Sequence, residues 1–492
     1  MTTKIAATDV LKHADRFFIG GDWVAPSSDS RIEVLSPATE ELFLSIAEAG
    51  VADIDRAVAA AREAFDRGPW PRMTHQERAG YLNAIAVAMD RRVGEIAHIW
   101  PNEMGILHGI AQAFSGTIGG VYRYYAGLAV SFEWEERFES PPGGGDYALL
   151  VNEPVGVVGA IVPWNGPVNI MAYKLAPALL AGCTIILKLS PEAPGTGYLL
   201  AEIAEEIGLP AGVLNVVTAD RDASERLVRH PEVDKIGFTG SSAVGKRIAS
   251  ICGERIARCT LELGGKSAAV ILDDFDIDDA AKRIVGPSCA MTGQICSSLT
   301  RIVVTRGRHD QLVEALSSEF KSVVVGDPFD AATGMGPLAM SRQRDKVEGM
   351  VAEAVRSGSK LVTGGKRPAH LNRGFFYEPT IFADVDNNDV IAREEIFGPV
   401  LCVIPARDEA HAVEIANDTM FGLNNSVFTN DADRAYRVAR ELRSGTVGHN
   451  MWRSDMAIGF GGFKQSGIGR EGGVNGLRAY LEPKTIIMEN RN

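Results

Sequence analysis

A carboxylate and a thiol, each close to glycine, are the two groups in this chain best suited to covalent chemistry. Glu262 precedes the glycine pair 264–265, and Cys296 follows 34 residues further on, three positions after Gly293. A thiol can attack an electrophilic carbon, and a carboxylate can activate the water that releases the product. The thiol taken alone has a simpler explanation, because most cysteines are small buried hydrophobes. Together they favour acyl chemistry on the cysteine.

The elements that must position these groups form two alternating series of strands and helices. Strands and helices alternate over 155–252, and the alternation begins again after the apolar run 268–272. This pattern is typical of parallel sheets covered by helices, which bind nucleotides at the carboxyl ends of their strands. The segment 262–296 falls where the two series meet. We therefore expect a substrate cleft there.

The N-terminal part is predicted to be mainly helical. Thr74 and Glu77 form a capping-box pattern that opens one long helix through about Trp100, and a second helical run covers 108–130. The Pro- and Gly-rich segment 141–145 then breaks the chain, which makes it a candidate domain boundary or hairpin.

Length and composition exclude several classes of protein. At 492 residues, with 46% hydrophobic and 23% charged residues, the chain is long enough for two or three globular domains. A net charge of −13 without a basic run argues against a nucleic-acid partner. Nine scattered histidines give no metal-ligand spacing, so no metal site is predicted. Six cysteines without CxxC spacing indicate reduced thiols.

Two further segments bear on the cellular location of the protein. Residues 1–16 lack the apolar core of a signal peptide, so we expect no export signal and a cytoplasmic protein. The longest uncharged stretch, 156–173, contains Pro163 and Pro167 and is a poor membrane helix. No membrane association is predicted.

Three glycine patterns compete for a nucleotide. The segment 467–472 matches GxGxxG, but no apolar strand precedes it. The segment 265–267 resembles the end of a P-loop, yet Thr260 stands where the first glycine belongs. The segment 238–241 fits better, because a strand leads in and a helix leads out, and helix N-termini attract phosphate. A simple helix N-cap is the alternative there.

Further polar residues end strands or precede turns. Asn165 is a candidate oxyanion donor, although Asn is also common in turns. Lys188 is suited to bind ribose hydroxyls or to remain solvated at a strand end. The segment 394–399, which combines acids and an aromatic ring, is suited to clamp a ribose or to start a strand.

In this order, the motifs resemble those of the aldehyde dehydrogenase superfamily over nearly the whole chain. Each is weak alone, but the ordered set with its Glu-to-Cys interval is specific. The matching segments are Pro163-Trp164-Asn165, Lys188, Phe238-Thr239-Gly240-Ser241, Glu262-Leu263-Gly264-Gly265-Lys266, Gly293-Gln294-Ile295-Cys296, Glu394-Glu395-Ile396-Phe397-Gly398-Pro399 and Phe460-Gly461-Gly462-Phe463-Lys464-Gln465-Ser466-Gly467.

The resemblance implies a mechanism and a cofactor. Cys296 would attack the aldehyde, Asn165 and the backbone N–H of Cys296 would hold the oxyanion, and hydride transfer to NAD would leave a thioester. Glu262 would then activate water for hydrolysis to the acid, and Lys174 would lie near the site. The residues that the resemblance places around the dinucleotide are Ile161, Pro163, Trp164, Lys188, Glu192, Asp220, Gly240, Ser241, Gly245, Leu263, Glu395 and Phe397.

Departures from the family pattern bear on specificity. Pro191 followed by Glu192 replaces the usual ribose-binding Glu, and Asp220 would repel a 2′-phosphate, which favours NAD over NADP. Gly166 and Ala290 stand where relatives carry bulky aromatics, while Tyr173 retains one ring. These residues predict a roomy apolar pocket for a medium-sized or bulky aldehyde.

The fold implied is α/β. It comprises a doubly wound, Rossmann-like cofactor domain from 1–128 and 150–261, a second α/β catalytic domain from 262–470, and a small β oligomerisation arm from 129–149 and 471–492. On the same ground a homodimer or homotetramer is expected.

Three alternatives stay open at this point. A cofactor-independent thiol hydrolase would use Cys296 with His449 and Asn450. A non-catalytic nucleotide-binding protein would keep the fold without turnover. Acyl transfer to coenzyme A is disfavoured, because Glu262 would serve hydrolysis.

Overall fold

The computed structural model describes residues 11–139, 142–455 and 457–489. The strands are β1 (Phe17–Ile19), β2 (Asp22–Val24), β3 (Arg31–Leu35), β4 (Leu42–Ala47), β5 (Glu135–Glu139), β6 (Tyr147–Pro154), β7 (Val157–Ile161), β8 (Thr184–Leu189), β9 (Leu214–Thr218), β10 (Lys235–Thr239), β11 (Arg258–Glu262), β12 (Ser267–Ile271), β13 (Leu299–Thr305), β14 (Lys360–Thr363), β15 (Thr380–Ala383), β16 (Val400–Ala406), β17 (Asn424–Phe428), β18 (Thr446–His449), β19 (Gly467–Ile468) and β20 (Leu481–Met488).

Helices connect most of these strands. They are α1 (Val51–Asp66), α2 (His75–Arg91), α3 (Val93–Met104), α4 (His108–Ser115), α5 (Ile118–Ser131), α6 (Pro167–Ala181), α7 (Gly195–Glu206), α8 (Arg221–Arg229), α9 (Ser242–Glu254), α10 (Ile277–Cys289), α11 (Arg306–Ser322), α12 (Ser341–Arg356), α13 (Val390–Arg393), α14 (Glu409–Asn417), α15 (Ala432–Glu441) and α16 (Gly473–Arg478).

The first large sheet has eight strands in the order β19-β11-β10-β7-β8-β9-β1-β2. The run β11-β10-β7-β8-β9 is parallel, and side chains alternate between its two faces. On β7, Val158 and Ala160 pack into one apolar cluster while Val157 and Ile161 pack into another. Both faces are therefore covered, as expected for a doubly wound sheet.

The second large sheet has seven strands in the order β14-β15-β16-β13-β12-β17-β18. On β12, Ala268 and Val270 face one cluster, and Ala269 and Ile271 face the opposite one. The single antiparallel pair, β14 with β15, lies at an edge. The predicted α/β class, with two helix-covered sheets, is confirmed.

A small third sheet joins distant parts of the chain. Its order is β20-β6-β5, and all its pairs are antiparallel. The predicted break at 141–145 lies between β5 and β6, where Gly144 and Gly145 have positive φ angles. Pro141 falls outside the described residues, as do residues 1–10 and 490–492. The boundaries assigned to the three domains stay predictions.

Two predicted helices are each divided in the structure. The helix expected from Thr74 to Trp100 breaks at Arg92, whose guanidinium binds the buried Glu202 at 2.8 Å, so that α3 turns to pack on α7. The run 108–130 breaks at 116–117, between α4 and α5. Helical propensity continues through the first break, where a tertiary contact sets the position, whereas Gly116 itself marks the second.

Candidate active site

The carboxyl ends of the parallel strands place several of the candidate residues at one edge of the first sheet. Glu262 ends β11 opposite Thr239, Ile161 ends β7, and Lys188 pairs with Ile161 from β8. Pro163 follows β7, so the chain cannot extend that strand and turns toward Asn165. The edge therefore brings residues from four segments of the sequence together.

The loop before Cys296 is held in an unusual conformation. Met291, Thr292 and Gly293 all have positive φ, of 52°, 56° and 72°. The Thr292 hydroxyl stabilises this turn by donating to the carbonyl oxygens of residues 336 and 337, each at 3.0 Å. For Met and Thr such angles are costly, so the surrounding bonds fix the loop.

Asn165 contacts the nucleophile loop directly. Its Nδ2 donates to the carbonyl oxygen of Gln294 at 2.9 Å, and its own carbonyl accepts from Trp100 Nε1 at 3.1 Å. Gln294 is itself fixed, since its Oε1 accepts from the N–H of Ala339 at 3.0 Å. The loop that carries Cys296 is therefore bonded, through Gln294, to the segment that carries Asn165.

Cys296 is partly buried next to two carboxyl groups. Burial raises the pKa of its thiol to about 12, and the nearby carboxylates of Glu395 and Glu262 act in the same direction. The backbone approaches closely at this point, because a Cβ on Gly265 would overlap the carbonyl oxygen of Cys296. The thiol therefore favours its protonated form at neutral pH.

Glu262 is 3% exposed, and neither of its carboxylate oxygens has a hydrogen-bond partner among the described residues. Burial raises its pKa well above the ordinary value, and the charge of Glu471 raises it further. A side chain at Gly461 would press on Glu262 Oε1, so glycine leaves that oxygen room. A buried, unsatisfied carboxyl of this kind is suited to take a proton.

Lys174 and Glu471 form a buried ion pair beside Glu262. Lys174 lies on α6 and is fully buried, and Glu471 is held by two backbone hydrogen bonds with Phe460. Both charges are thus compensated in a site that water reaches poorly.

The loop after β10 has the features of a phosphate site. Ser241 caps α9 by accepting from the N–H of Val244 at 3.4 Å. Gly240 donates its N–H to the carbonyl oxygen of Glu262 at 3.0 Å. A Cβ at Gly245 would overlap Leu263, so glycine allows α9 to approach that buried side chain. The cap and the close packing leave the N-terminus of a 13-residue helix at the cleft.

Four charged groups surround the predicted ribose position. The ammonium group of Lys188 is buried and, among the described residues, makes only one long hydrogen bond, 3.4 Å to the carbonyl of Ala219. Burial lowers its pKa to about 8, against the opposing effect of Glu192 and Asp220. Burial alone would raise the pKa of Glu192, but hydrogen bonds from Ser190 and then Arg342 lower it. Lys188 retains capacity for further acceptors such as hydroxyl oxygens.

Arg342 and Glu192 join the two large units. Glu192 follows β8 of the first sheet, and Arg342 lies in the first turn of α12, which packs against the second. Ser190 donates to the other oxygen of the same carboxylate. The ion pair therefore crosses the cleft on the ribose side.

Glu395 and Phe397 line the opposite side of the cleft. Glu395 accepts from the N–H of Gly265 at 3.1 Å, and Phe397 makes an edge contact with Trp164 at 5.4 Å between ring centroids. Phe397 has a φ of 59°, and Gln343 holds this turn by donating to its carbonyl oxygen at 2.7 Å.

Comparison with known proteins identifies this arrangement. Residues 23–486 match the model of the aldehyde dehydrogenase family. The chain belongs to that family. It is 44% identical to a geranial dehydrogenase of Castellaniella defragrans, covering 96% of this chain and 98% of the relative. It is 41% identical to a 3-succinoylsemialdehyde-pyridine dehydrogenase of a Pseudomonas species, with the same coverage of both chains.

Solved structures of aldehyde dehydrogenases agree with this assignment. An aldehyde dehydrogenase of Mycobacterium tuberculosis complexed with NAD+ superposes with a TM-score of 0.94 at 43% identity, covering 96% of this chain and 98% of that one. A mutant of aldehyde dehydrogenase C from Pseudomonas syringae, complexed with NAD+ and octanal, gives 0.93 at 37% identity and 97% of both chains. These complexes support the predicted cofactor.

Family membership confirms the predicted reaction class, the oxidation of an aldehyde to a carboxylic acid. The residues of the rival thiol hydrolase have other contacts: His449 Nε2 lies 3.0 Å from the carbonyl oxygen of Thr429, and Asn450 accepts from the N–H of the same residue. Both therefore bind the end of β17 in this aldehyde dehydrogenase.

Sequence reasoning assigned no role to four residues that shape the site: Gln294, Arg342, Gln343 and Glu471. Two had a visible signal, since Gln294 lies in the matching segment 293–296 and Glu471 lies in the glycine motif 467–472 that was dismissed as a nucleotide fingerprint. That motif instead forms β19, which pairs with the end of β11 next to Glu262. Arg342 and Gln343 contribute through contacts that no local pattern reveals.

Neither a membrane-spanning helix nor a metal-binding cluster is found in residues 11–139, 142–455 and 457–489. No helix in this part of the chain is long and apolar enough to span a membrane. Within the same residues, no three His, Cys, Asp or Glu side chains are grouped as a metal site requires.

Proposed function

We propose that this aldehyde dehydrogenase oxidises a medium-sized or bulky apolar aldehyde with NAD+, with Cys296 as nucleophile and Glu262 as the base for hydrolysis. The observation that carries the proposal is the contact of Asn165 with the Cys296 loop beside an unpartnered, buried Glu262. A nucleophile, an oxyanion donor and a base are the three groups that the reaction needs.

The first step is attack of the Cys296 sulfur on the aldehyde carbon. The thiol proton must leave, and Glu262, whose raised pKa favours proton uptake, is the nearby acceptor. Asn165 Nδ2 carries two protons and donates one to the carbonyl oxygen of Gln294. The second is available to the oxyanion, together with the backbone N–H of Cys296.

NAD+, when bound, supplies the acceptor for the hydride that leaves the substrate carbon. The residues that would hold it are those at the strand ends: Ser241 and the α9 N-terminus for the pyrophosphate, Lys188 for the adenosine ribose, and Glu395 for the nicotinamide ribose. The under-occupied ammonium group of Lys188 fits a ligand rich in hydroxyl oxygens.

Release of the acid requires water at the thioester carbon. Glu262 takes a proton from that water, and the Cys296 thiol leaves as the acid forms. The buried Lys174–Glu471 pair lies beside Glu262 and provides polar groups through which the proton can pass toward solvent.

The substrate class rests on the pocket walls. A Cβ at Gly166 would find only Ile170 within 4 Å, at 3.7 Å, so this wall has room. Ile170, Ile295 and Trp164 are partly buried apolar side chains packed against the core. The geranial and octanal named for the two similar proteins are apolar aldehydes, in keeping with such walls.

The preference for NAD over NADP rests on charge. Asp220 and Glu192 both lie within electrostatic reach of Lys188, so a 2′-phosphate placed there would meet two carboxylates. Arg342 is already neutralised by Glu192 and offers no free charge to that phosphate.

The test is NADH formation over a panel of geranial, octanal, benzaldehyde, acetaldehyde and 3-aminopropanal. The proposal expects the highest kcat/KM for the first three, no turnover in Cys296→Ala, and a single burst of NADH in Glu262→Gln. A preference for 3-aminopropanal would overturn the substrate class. That preference would instead indicate that Asp455, which lies near Tyr124 and Tyr173, takes part in substrate binding. Normal turnover of Glu262→Gln would overturn the assigned base.

We further infer that the β20-β6-β5 sheet serves subunit assembly in a cytoplasmic homodimer or homotetramer. Every residue of β5 is exposed, and Phe138, Ile487 and Met488 present apolar surface there. Light scattering on the purified protein measures the subunit number, and a monomer would contradict the inference. Cell fractionation tests the location.

A further inference from the structure

Two thiols that the proposed reaction does not use lie in contact behind the cofactor loop. Cys252 lies near the end of α9 and Cys259 near the start of β11. The chain between them folds back, with the Ala257 N–H donating to the Cys252 carbonyl oxygen at 2.9 Å, and both side chains belong to one apolar cluster. Alternation along β11 explains the meeting, because Cys259 and Leu261 point to the sheet face covered by α9, where Cys252 belongs to the same apolar cluster.

The two sulfurs differ in access and in charge. Cys252 is 1% exposed, whereas Cys259 is partly exposed to solvent. Interaction with Cys252 lowers the pKa of Cys259 against the effect of burial, and the buried ammonium group of Lys235 lowers it further. Interaction with Cys259, together with burial, raises the pKa of Cys252. Cys259 is therefore both the more accessible and the more acidic thiol of the two.

We propose that Cys252 and Cys259 form a reversible redox pair, which a hydroperoxide converts to a disulfide. The Cys259 thiolate attacks the peroxide oxygen, giving a sulfenic acid and hydroxide. The Cys252 sulfur then attacks the Cys259 sulfur, the S–S bond forms, and the hydroxyl leaves as water. In total two thiols are oxidised and one hydrogen peroxide is reduced to two waters. A small dithiol reverses the change.

The other thiols near the cofactor and catalytic regions are less suited to this reaction. The pKa of Cys296 and that of Cys289 are both raised to about 12 by burial, so each is mainly protonated at neutral pH. Because the thiolate is the species that reacts with peroxide, limited oxidant goes first to Cys259. A resolving thiol in contact then stops further oxidation of its sulfur.

The disulfide would join two elements that serve the site. The opposite end of α9 carries Ser241, and the opposite end of β11 carries Glu262. The bond would close the short turn 253–258 and leave both of those groups in place. This inference does not depend on the proposed substrate or on the proposed roles in catalysis.

Peptide mapping of the full-length enzyme tests the pair. Protein treated with a small excess of hydrogen peroxide at neutral pH is alkylated and digested with trypsin. Cleavage after Arg247, Arg255, Arg258 and Lys266 separates the two cysteines into the peptides Ile248–Arg255 and Cys259–Lys266. The proposal expects these peptides joined, two hydrogens lighter than their sum, and separated by dithiothreitol.

Cysteine substitutions test whether Cys252 is the partner of Cys259. Cys252→Ser should lose the joined peptide and accumulate sulfinic acid on Cys259, whereas the matched control Cys289→Ser, another buried thiol, should form it as the wild type does. If Cys252→Ser fails to fold, the alkylation rate of Cys259 in the wild type, followed against pH, should be half-maximal below the pKa of a free cysteine, about 8.5. Oxidation of Cys296 before the joined peptide appears, or a wild-type Cys259 oxidised without a link, would overturn the proposal.

Discussion

The side-chain amide of Asn165 lies 2.9 Å from the carbonyl oxygen of Gln294, two residues before the proposed nucleophile. The same group is thus both a proposed donor to the oxyanion and a restraint on the loop that presents Cys296. Removing it should affect binding of the transition state more than binding of the cofactor.

Asn165→Ala should lower kcat by about 10²–10³, the usual loss for an oxyanion donor. Steady-state NADH formation measures this, and the dissociation constant of NAD+ provides the control, since it should change little. A matched variant is Asn169→Ala, which lies in the first turn of α6, four residues after Asn165. Equal losses in both variants would show that the effect comes from the helix and not from the amide.

The Glu471 charge should set the pH at which Glu262 becomes active as a base. Glu262 works when ionised, so kcat should rise with pH through its raised pKa. In Glu471→Gln one carboxylate charge is lost and Lys174 is freed, and both changes favour ionised Glu262. The rising limb of the kcat–pH profile should therefore move to lower pH. A shift to higher pH would contradict this electrostatic account.

The ion pair between Glu192 and Arg342 should limit the use of NADP. Glu192→Gln removes a carboxylate and frees the guanidinium group for a 2′-phosphate, so the kcat/KM ratio of NADP to NAD should rise on the order of tenfold. The double variant Glu192→Gln with Arg342→Gln should lose most of that gain. If the two variants have the same ratio, Arg342 does not contact the phosphate.

Gly265 should be intolerant of a side chain. A Cβ there meets the carbonyl oxygen of Cys296, and a displacement of the nucleophile by about 1 Å costs about 10²-fold in rate. Gly265→Ala should therefore lower kcat by about two orders of magnitude. Gly286→Ala on α10, where a Cβ meets nothing within 4 Å, is the control and should keep full activity.

Stability should fall as pH rises because of one buried carboxyl group. Burial raises the pKa of Glu103 to about 8, while its hydrogen bond from the N–H of Gly195 opposes the shift. The folded protein thus keeps a proton that the unfolded chain loses above about pH 4.5, so its stabilisation is lost progressively up to about pH 8. Melting temperature should decline across this window in wild type and decline less in Glu103→Gln.

The parts of the fold that sequence predicts well are those with local causes. The strand expected before 238–241 and the helix expected after it are β10 and α9, because an apolar run and a capping serine mark their ends. The break at Arg92 has no such mark, since it depends on an ion pair with Glu202 from a distant helix.

The candidate site shows the same difference between residues with local signals and residues with long-range contacts. Glu262, Cys296 and Asn165 were found because their motifs and spacing are local, and the structure brings the Cys296 loop against Asn165 and close to Glu262. Gln343 and Arg342 were not found, because each acts through a partner more than 50 residues away. Long-range pairing of this kind follows from packing and not from pattern.

The main-chain hydrogen bond from the Gly240 N–H to the Glu262 carbonyl oxygen connects the loop after β10 with the end of β11. The loop proposed to receive the dinucleotide and the residue proposed to prepare the hydrolytic water are thus joined at the main chain. A shift of that loop on coenzyme binding would move the backbone of Glu262 as well.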